Sequence, residues 1–215
     1  MTNLISDVSP RKAAIVAGSA FIISFILAII VGNFILPNFI VPGDTAALAN
    51  DINANERLFN IAVIMYLIIL ALDAAIALAL YIVLKPANRK LASLTGIFRL
   101  LYAAIMVIGV LALAFQFIEV YSYGSIKLIG YLFFTCHIFV LGYLVCKSGY
   151  IPRIFGVLLI TASFCYVGAF YVNFLVPKVL LLIFMMFMIA GELSLSLWLL
   201  LKNAKLPEMI SLNPR

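Results

Sequence analysis

The sequence predicts an all-α fold: a polytopic transmembrane bundle of six helices with both termini in the cytoplasm. Three observations carry this reading. Hydrophobic residues make up 67% of the chain and charged residues only 10%, against about half and a quarter in an ordinary soluble domain. A water-soluble fold of that composition would lack the polar surface to cover itself, whereas lipid solvates an apolar exterior. Six apolar stretches reach the roughly 20 residues that cross a hydrocarbon layer. Lysine and arginine, finally, crowd alternate connectors, which is the asymmetry that sets orientation in a membrane.

The stretches fall at about 13–36, 58–84, 91–118, 126–146, 154–176 and 179–201. The first follows Arg11-Lys12 and has the basic flank of a signal peptide. It is too long for one, and no small-residue cleavage site precedes Asn33, so it reads as a retained helix. The third is long enough to tilt or to extend past the membrane. Connectors are short except 37–57, read as an extracytoplasmic loop in which 45–55 forms an amphipathic surface segment. The chain 1–215 reads as one domain. With the N-terminus inside, the cytoplasmic segments hold Arg11, Lys12, Lys85, Arg89, Lys90, Lys147, Arg153, Lys202, Lys205 and Arg215. The outer segments hold Arg57, Lys127 and Lys178. Between the fourth and fifth helices, Gly149 is placed to cap a helix C-terminus and Pro152 to start the next helix.

The formal charge of +6 sits at helix ends, which suits anionic lipid headgroups better than nucleic acid. Lys147 and Arg153 in the fourth connector could meet such a headgroup, although a well-formed turn accounts for them equally. Cys136, Cys146 and Cys165 form no CxxC pair, and the chain has one histidine, so neither a metal nor another cofactor is expected. A haem role for His137 lacks an evident second axial ligand. Asn33-Phe34-Ile35-Leu36-Pro37 and Asn173-Phe174-Leu175-Val176-Pro177 echo each other, as in a degenerate parallel repeat, or as two membrane-edge segments of common composition.

Four ionisable residues lie inside apolar stretches: Asp73, Arg99, His137 and Glu192. Asp73 precedes Lys85 by 12 residues, Arg99 follows Lys90 by 9, and His137 and Glu192 precede Lys147 and Lys202 by 10 each. At about 1.5 Å per residue, all four lie roughly 13–18 Å from the cytoplasmic ends of their helices, in one slab. A charge at that depth costs about 2.5–3.5 kcal/mol on insertion scales, so such groups face the bundle interior and find partners. Ala71, Ala74, Ala75, Ala77 and Ala79 surround Asp73, and small residues of this kind would make its helix central. Tyr102 follows Arg99 on the same face, and Tyr66, Tyr143 and Tyr166 are further candidates to line a cavity. Glu119, Tyr121 and Tyr123 read as an outer interface belt, and Trp198 as an inner anchor.

Two readings of this cluster compete. In one, Arg99 pairs with Asp73 or Glu192, His137 bonds the remaining carboxylate, and the network only fixes helix register. In the other, Asp73, Arg99, His137, Glu192 and Tyr102 line a site that binds or transports a small molecule, ion or lipid. The second draws support from charge: one arginine cannot balance two carboxylates unless His137 is protonated or one acid is neutral. An intramembrane enzyme acting on a lipid, through a His–carboxylate pair, is the main alternative. The single histidine and the lack of a nucleophile elbow weigh against it. A structural or sensor protein without chemistry is the third. The lipid bilayer is the expected partner, with no expectation for oligomeric state.

The motifs around these residues resemble a known family. They are Asp73 in its alanine-rich helix, Lys85-Pro86-Ala87-Asn88-Arg89, Phe98-Arg99-Leu100, His137 and Gly142-Tyr143-Leu144. Ser148-Gly149-Tyr150-Ile151-Pro152-Arg153, Gly156, Gly191-Glu192-Leu193-Ser194-Leu195 and the outer Val41-Pro42-Gly43-Asp44 complete them. In order and spacing the set resembles domain-of-unknown-function family 4386, a group of prokaryotic membrane proteins, over nearly the whole chain. The resemblance implies a multi-pass topology and carries no activity with it.

Overall fold

In the computed structural model, which describes residues 9–35, 54–115, 120–172 and 175–202, six helices account for nearly all of the described chain. They are α1 (Pro10–Ile30), α2 (Glu56–Leu84), α3 (Arg89–Ala114), α4 (Val120–Ser148), α5 (Arg153–Tyr171) and α6 (Lys178–Leu201). A π-helical turn, Val31–Ile35, prolongs α1. Each helix is long and apolar enough to cross a membrane, and the chain is a multi-pass membrane protein. The surface segment expected at 45–55 falls mostly outside the described residues, as do Glu119 and part of the Asn-Phe-x-x-Pro echo.

Local sequence explains where helices start and stop. Ser9 caps α1 by accepting the Lys12 N–H at 3.4 Å, with Pro10 at the first helical position. Asn88 caps α3 by accepting the Leu91 N–H at 3.1 Å. Pro152 and Pro177 stand immediately before α5 and α6. Between α4 and α5 the turn is as tight as its residues suggest. Gly149 takes φ 76°, a backbone region closed to most side chains. Ser148 Oγ donates to Val145 O at 2.8 Å and accepts the Ile151 N–H at 3.3 Å. Tyr150 then donates its hydroxyl to Val83 O at 2.7 Å, fastening this turn to the end of α2.

Every helix packs on its neighbours in sequence, and α1 closes the series against α6. The result is a ring of six rather than a bundle around a central post. The alanine-rich α2 is therefore not central; it takes its place in the ring between α1 and α3. Its small residues still serve close approach, since a Cβ on Gly96 of α3 would sit 3.6 Å from Ala77 O. The closest contact joins α4 and α5. A Cβ on Gly142 would lie 2.8 Å from Gly156 O, and one on Gly156 would lie 2.6 Å from Gly142 O. Without a hydrophobic force between helices in lipid, such backbone proximity is a main source of association. Outward faces carry Ile, Leu, Val and Phe throughout, including Ile64, Ile108, Phe164 and Leu182.

Two substitutions test this packing. Gly156→Leu has no space against Gly142 and is expected to destabilise by roughly 1–3 kcal/mol in mixed-micelle unfolding; an unchanged midpoint would contradict the seam. Tyr150→Phe should lose about 0.5–1.5 kcal/mol, the worth of one hydrogen bond. Burial raises the Tyr150 phenol above its ordinary range. Its contribution is therefore complete below about pH 10, the free phenol value, and is lost only as pH climbs through the raised folded value.

Candidate functional site

Arg99 is the organising group of the interior. It is 2% exposed, and polar groups on its two neighbouring helices, α2 and α4, satisfy it. Its Nε donates to Asp73 Oδ1 at 3.0 Å, and Nη2 donates to the same oxygen, forming a buried ion pair between α3 and α2. Nη1 donates to His137 Nε2 on α4 at 3.0 Å. A guanidinium has no acceptor, so Nε2 must hold a lone pair and the ring proton must sit on Nδ1. That N–H lies 2.8 Å from Thr95 O, to which it donates. Thr95 Oγ1 lies 2.8 Å from Nδ1 and donates in turn to His137 O at 3.1 Å. Thr95 stands four residues before Arg99, one turn away on the same face of α3. One helix thus grips His137 from two successive turns.

Aromatic rings complete the enclosure. The Arg99 Cζ lies 4.5 Å from the Phe21 ring centroid and 5.4 Å from that of Phe134, the geometry of a cation over π faces. Phe134 packs against Tyr102 at 4.8 Å and edge-on against Tyr166 at 5.2 Å. Tyr166 stacks in parallel with Phe170, and Phe170 with Tyr131. From α5, Tyr166 donates its hydroxyl to Glu192 Oε1 at 2.5 Å, so the second carboxylate is reached through an aromatic wall.

These groups surround a cavity of about 210 Å³ to which all six helices contribute. Asp73, Arg99, Tyr102, Tyr166 and Glu192 give its polar wall, and Phe21, Phe25, Ile69, Met185 and Met188 much of the apolar remainder. Ser24 of α1 also lines it, is 8% exposed, and has no hydrogen-bond partner.

Of the five residues singled out from sequence, Asp73, Arg99, Tyr102 and Glu192 face one cavity. His137 does not. It is 0% exposed and lies behind Arg99, where it positions the guanidinium. Nor does His137 bond a carboxylate; its partners are Arg99 and Thr95. Arg99 chooses Asp73, leaving Glu192 with Tyr166. Tyr143 is exposed and meets Lys147, while Tyr66 and Tyr123 pack against the core. Trp198 packs beside Phe155. Sequence reasoning missed Phe21 and Ser24, because α1 carries no titratable residue in its span to draw notice. Thr95 was missed as well, although its spacing of four residues before Arg99 was visible.

Electrostatically, Arg99 forms its direct ion pair with Asp73, while Glu192 accepts from the Tyr166 phenol and makes no ion pair among the described residues. Removing one member of a buried pair typically costs about 3–5 kcal/mol, because the other charge is left alone. Arg99→Met should therefore destabilise by that order, and Asp73→Leu combined with Arg99→Met should recover much of the loss. Unfolding midpoints of the two single variants and the double variant decide the point. A double variant worse than the sum of its singles would contradict the pairing.

A relative from Archaeoglobus fulgidus, described as an uncharacterized protein, is 34% identical over 160 residues, covering 74% of this chain and 93% of its own. No solved structure matches the chain. The family model described as Domain of unknown function (DUF4386) matches residues 16–116 and 112–203, and the chain belongs to that family.

Proposed function

We propose that this protein binds or carries a small molecule or lipid in the cavity bounded by Asp73, Arg99, Tyr102 and Glu192. One observation supports this above the others. Polar groups from five different helices converge on one cavity at a depth where polar groups are costly, and not all of them satisfy one another. A network serving only helix register would have every member paired, as Arg99, Asp73, His137 and Thr95 are. Midplane cavities between helices are the usual place for carrier sites. The enzymatic alternative draws less support, because His137, its natural acid or base, is turned away from the cavity.

The same proposal places the protein in the cell membrane with both termini in the cytoplasm, supported by the distribution of lysine and arginine. Single cysteines introduced at Lys205 and at Asp44, in a chain without Cys136, Cys146 and Cys165, should label from opposite sides of intact cells. Labelling of both from outside would contradict the orientation.

Binding is tested by native mass spectrometry of protein released from micelles. The wild type is expected to retain a bound small molecule or lipid. Ala28→Phe, which narrows the cavity mouth, should retain it at least about tenfold less, equivalent to about 1.4 kcal/mol, while folding normally. Equal retention by both proteins would refute the cavity as the site.

A further inference from the structure

The cavity has an unbalanced wall and an open side, and together they define its occupant. We infer that it receives an organic ammonium group on a single apolar chain, with the head held by Glu192 and Ser24 and the chain passing between α1 and α6 into the bilayer. This rests on the binding reading above and narrows it to a class of ligand.

The head follows from charge and hydrogen bonding. Three donor groups of Arg99 are engaged, by Asp73 and by His137. The guanidinium balances Asp73, and His137 is neutral while it accepts from Arg99. Glu192 accepts one hydrogen bond from Tyr166 and has no cation beside it among the described salt bridges. A cationic ligand supplies the missing charge. Ser24 points to the same need from the facing helix. Hydroxyls inside helices commonly bond back to the preceding turn, as Ser19 does to Ile15 O, Thr135 to Tyr131 O, Ser163 to Ile160 O and Ser196 to Glu192 O. Ser24 makes no such bond, though it is buried against the cavity. An ammonium N–H can donate to both Ser24 Oγ and Glu192.

An inorganic cation fits less well. Calcium takes six to eight oxygens, and magnesium holds a strict octahedron. Among the described residues no three of His, Cys, Asp and Glu gather as metal ligands. The walls are instead ring faces and aliphatic side chains, which suit an ammonium through cation–π contact. An anion would meet two carboxylates, and the Arg99 guanidinium in the same wall is already paired with Asp73.

The chain follows from the exposure of the N-terminal half of α6 on its α1 side. Gly191, Leu195, Ser196 and Leu199 are buried, whereas no residue from 178 to 190 is. At the closed end α1 presses on α6, where a Cβ on Gly18 would lie 2.7 Å from Ser196 O. Toward the other end the helices flank the cavity, and Ala28, Met185 and Ile189 at its rim are exposed. Met185 lies seven residues into α6 from Lys178, about 10 Å along the axis, so the rim opens within the apolar span. The volume of about 210 Å³ is below the roughly 300–1,000 Å³ of sites that enclose a drug-sized ligand. It accommodates a head group and leaves a chain to lie in the gap.

The test compares decylamine, decanol and decanoate at equal concentration on the purified protein in maltoside micelles, read as the thermal unfolding midpoint. Decylamine should raise the wild-type midpoint by about 2–4 °C, as expected for about 1 kcal/mol of binding linkage in a chain of this size. Decanol and decanoate should leave it unchanged. Glu192→Gln should abolish the decylamine shift, and Ser24→Ala should reduce it. An equal shift from decanol, or a full decylamine shift in either variant, would overturn the ammonium assignment while leaving the binding reading intact. No shift from any probe would also overturn it. The binding reading is then decided separately by the Ala28→Phe comparison, which does not depend on ligand charge.

Discussion

A guanidinium enclosed by apolar helices is the constraint from which the interior of this protein follows. Arg99 is 2% exposed, so protein groups must take up its N–H donors. Asp73 meets the charge, His137 takes one more donor, and Thr95 holds His137 in the tautomer that can accept. Each partner sits on a helix that also packs against α3 or its neighbour. The polar requirement and the helix order therefore reinforce each other. Shifting α4 along α3 by one turn would separate His137 from both Thr95 and Arg99.

Around this core the ring is assembled by proximity rather than by hydrophobic burial, since lipid is as apolar as the outward side chains. Glycine carries much of that burden between α4 and α5, where Gly142 and Gly156 bring backbone against backbone. The ring is tight along most of its circumference and loosens on the α1 side of the N-terminal half of α6, which still packs on α5 through Phe184 and Gly168. That looseness coincides with the one wall of the cavity where a carboxylate lacks a charged partner.

Much of the architecture was legible in the sequence. Spans were readable because a bilayer demands long apolar runs, and Asn88 and Pro152 mark helix starts by local chemistry. The common depth of Asp73, Arg99, His137 and Glu192 followed from counting to the nearest basic helix end. Partner choice was not legible. Whether Arg99 meets Asp73 or Glu192 depends on helix rotation and neighbour order, which spacing within one helix does not specify. For the same reason His137 was expected at the cavity and stands behind it. Ser24 and Phe21 were hidden because a serine and a phenylalanine in an apolar span carry no signal until a neighbouring helix presents them with a cation or a cavity. The alanine run around Asp73 was read as a sign of centrality. It reflects close approach to α3, where Ala77 O faces Gly96, which small residues permit wherever a helix stands.

The most direct measurement is an electron-microscopy map of the protein in lipid nanodiscs, at a resolution that separates side chains. The expected map shows Arg99 between Asp73 and His137, Glu192 held by Tyr166 across the cavity, and density beside Glu192 that continues between α1 and α6. A map in which Arg99 pairs with Glu192, or in which either group turns outward to lipid, would contradict the account at its root.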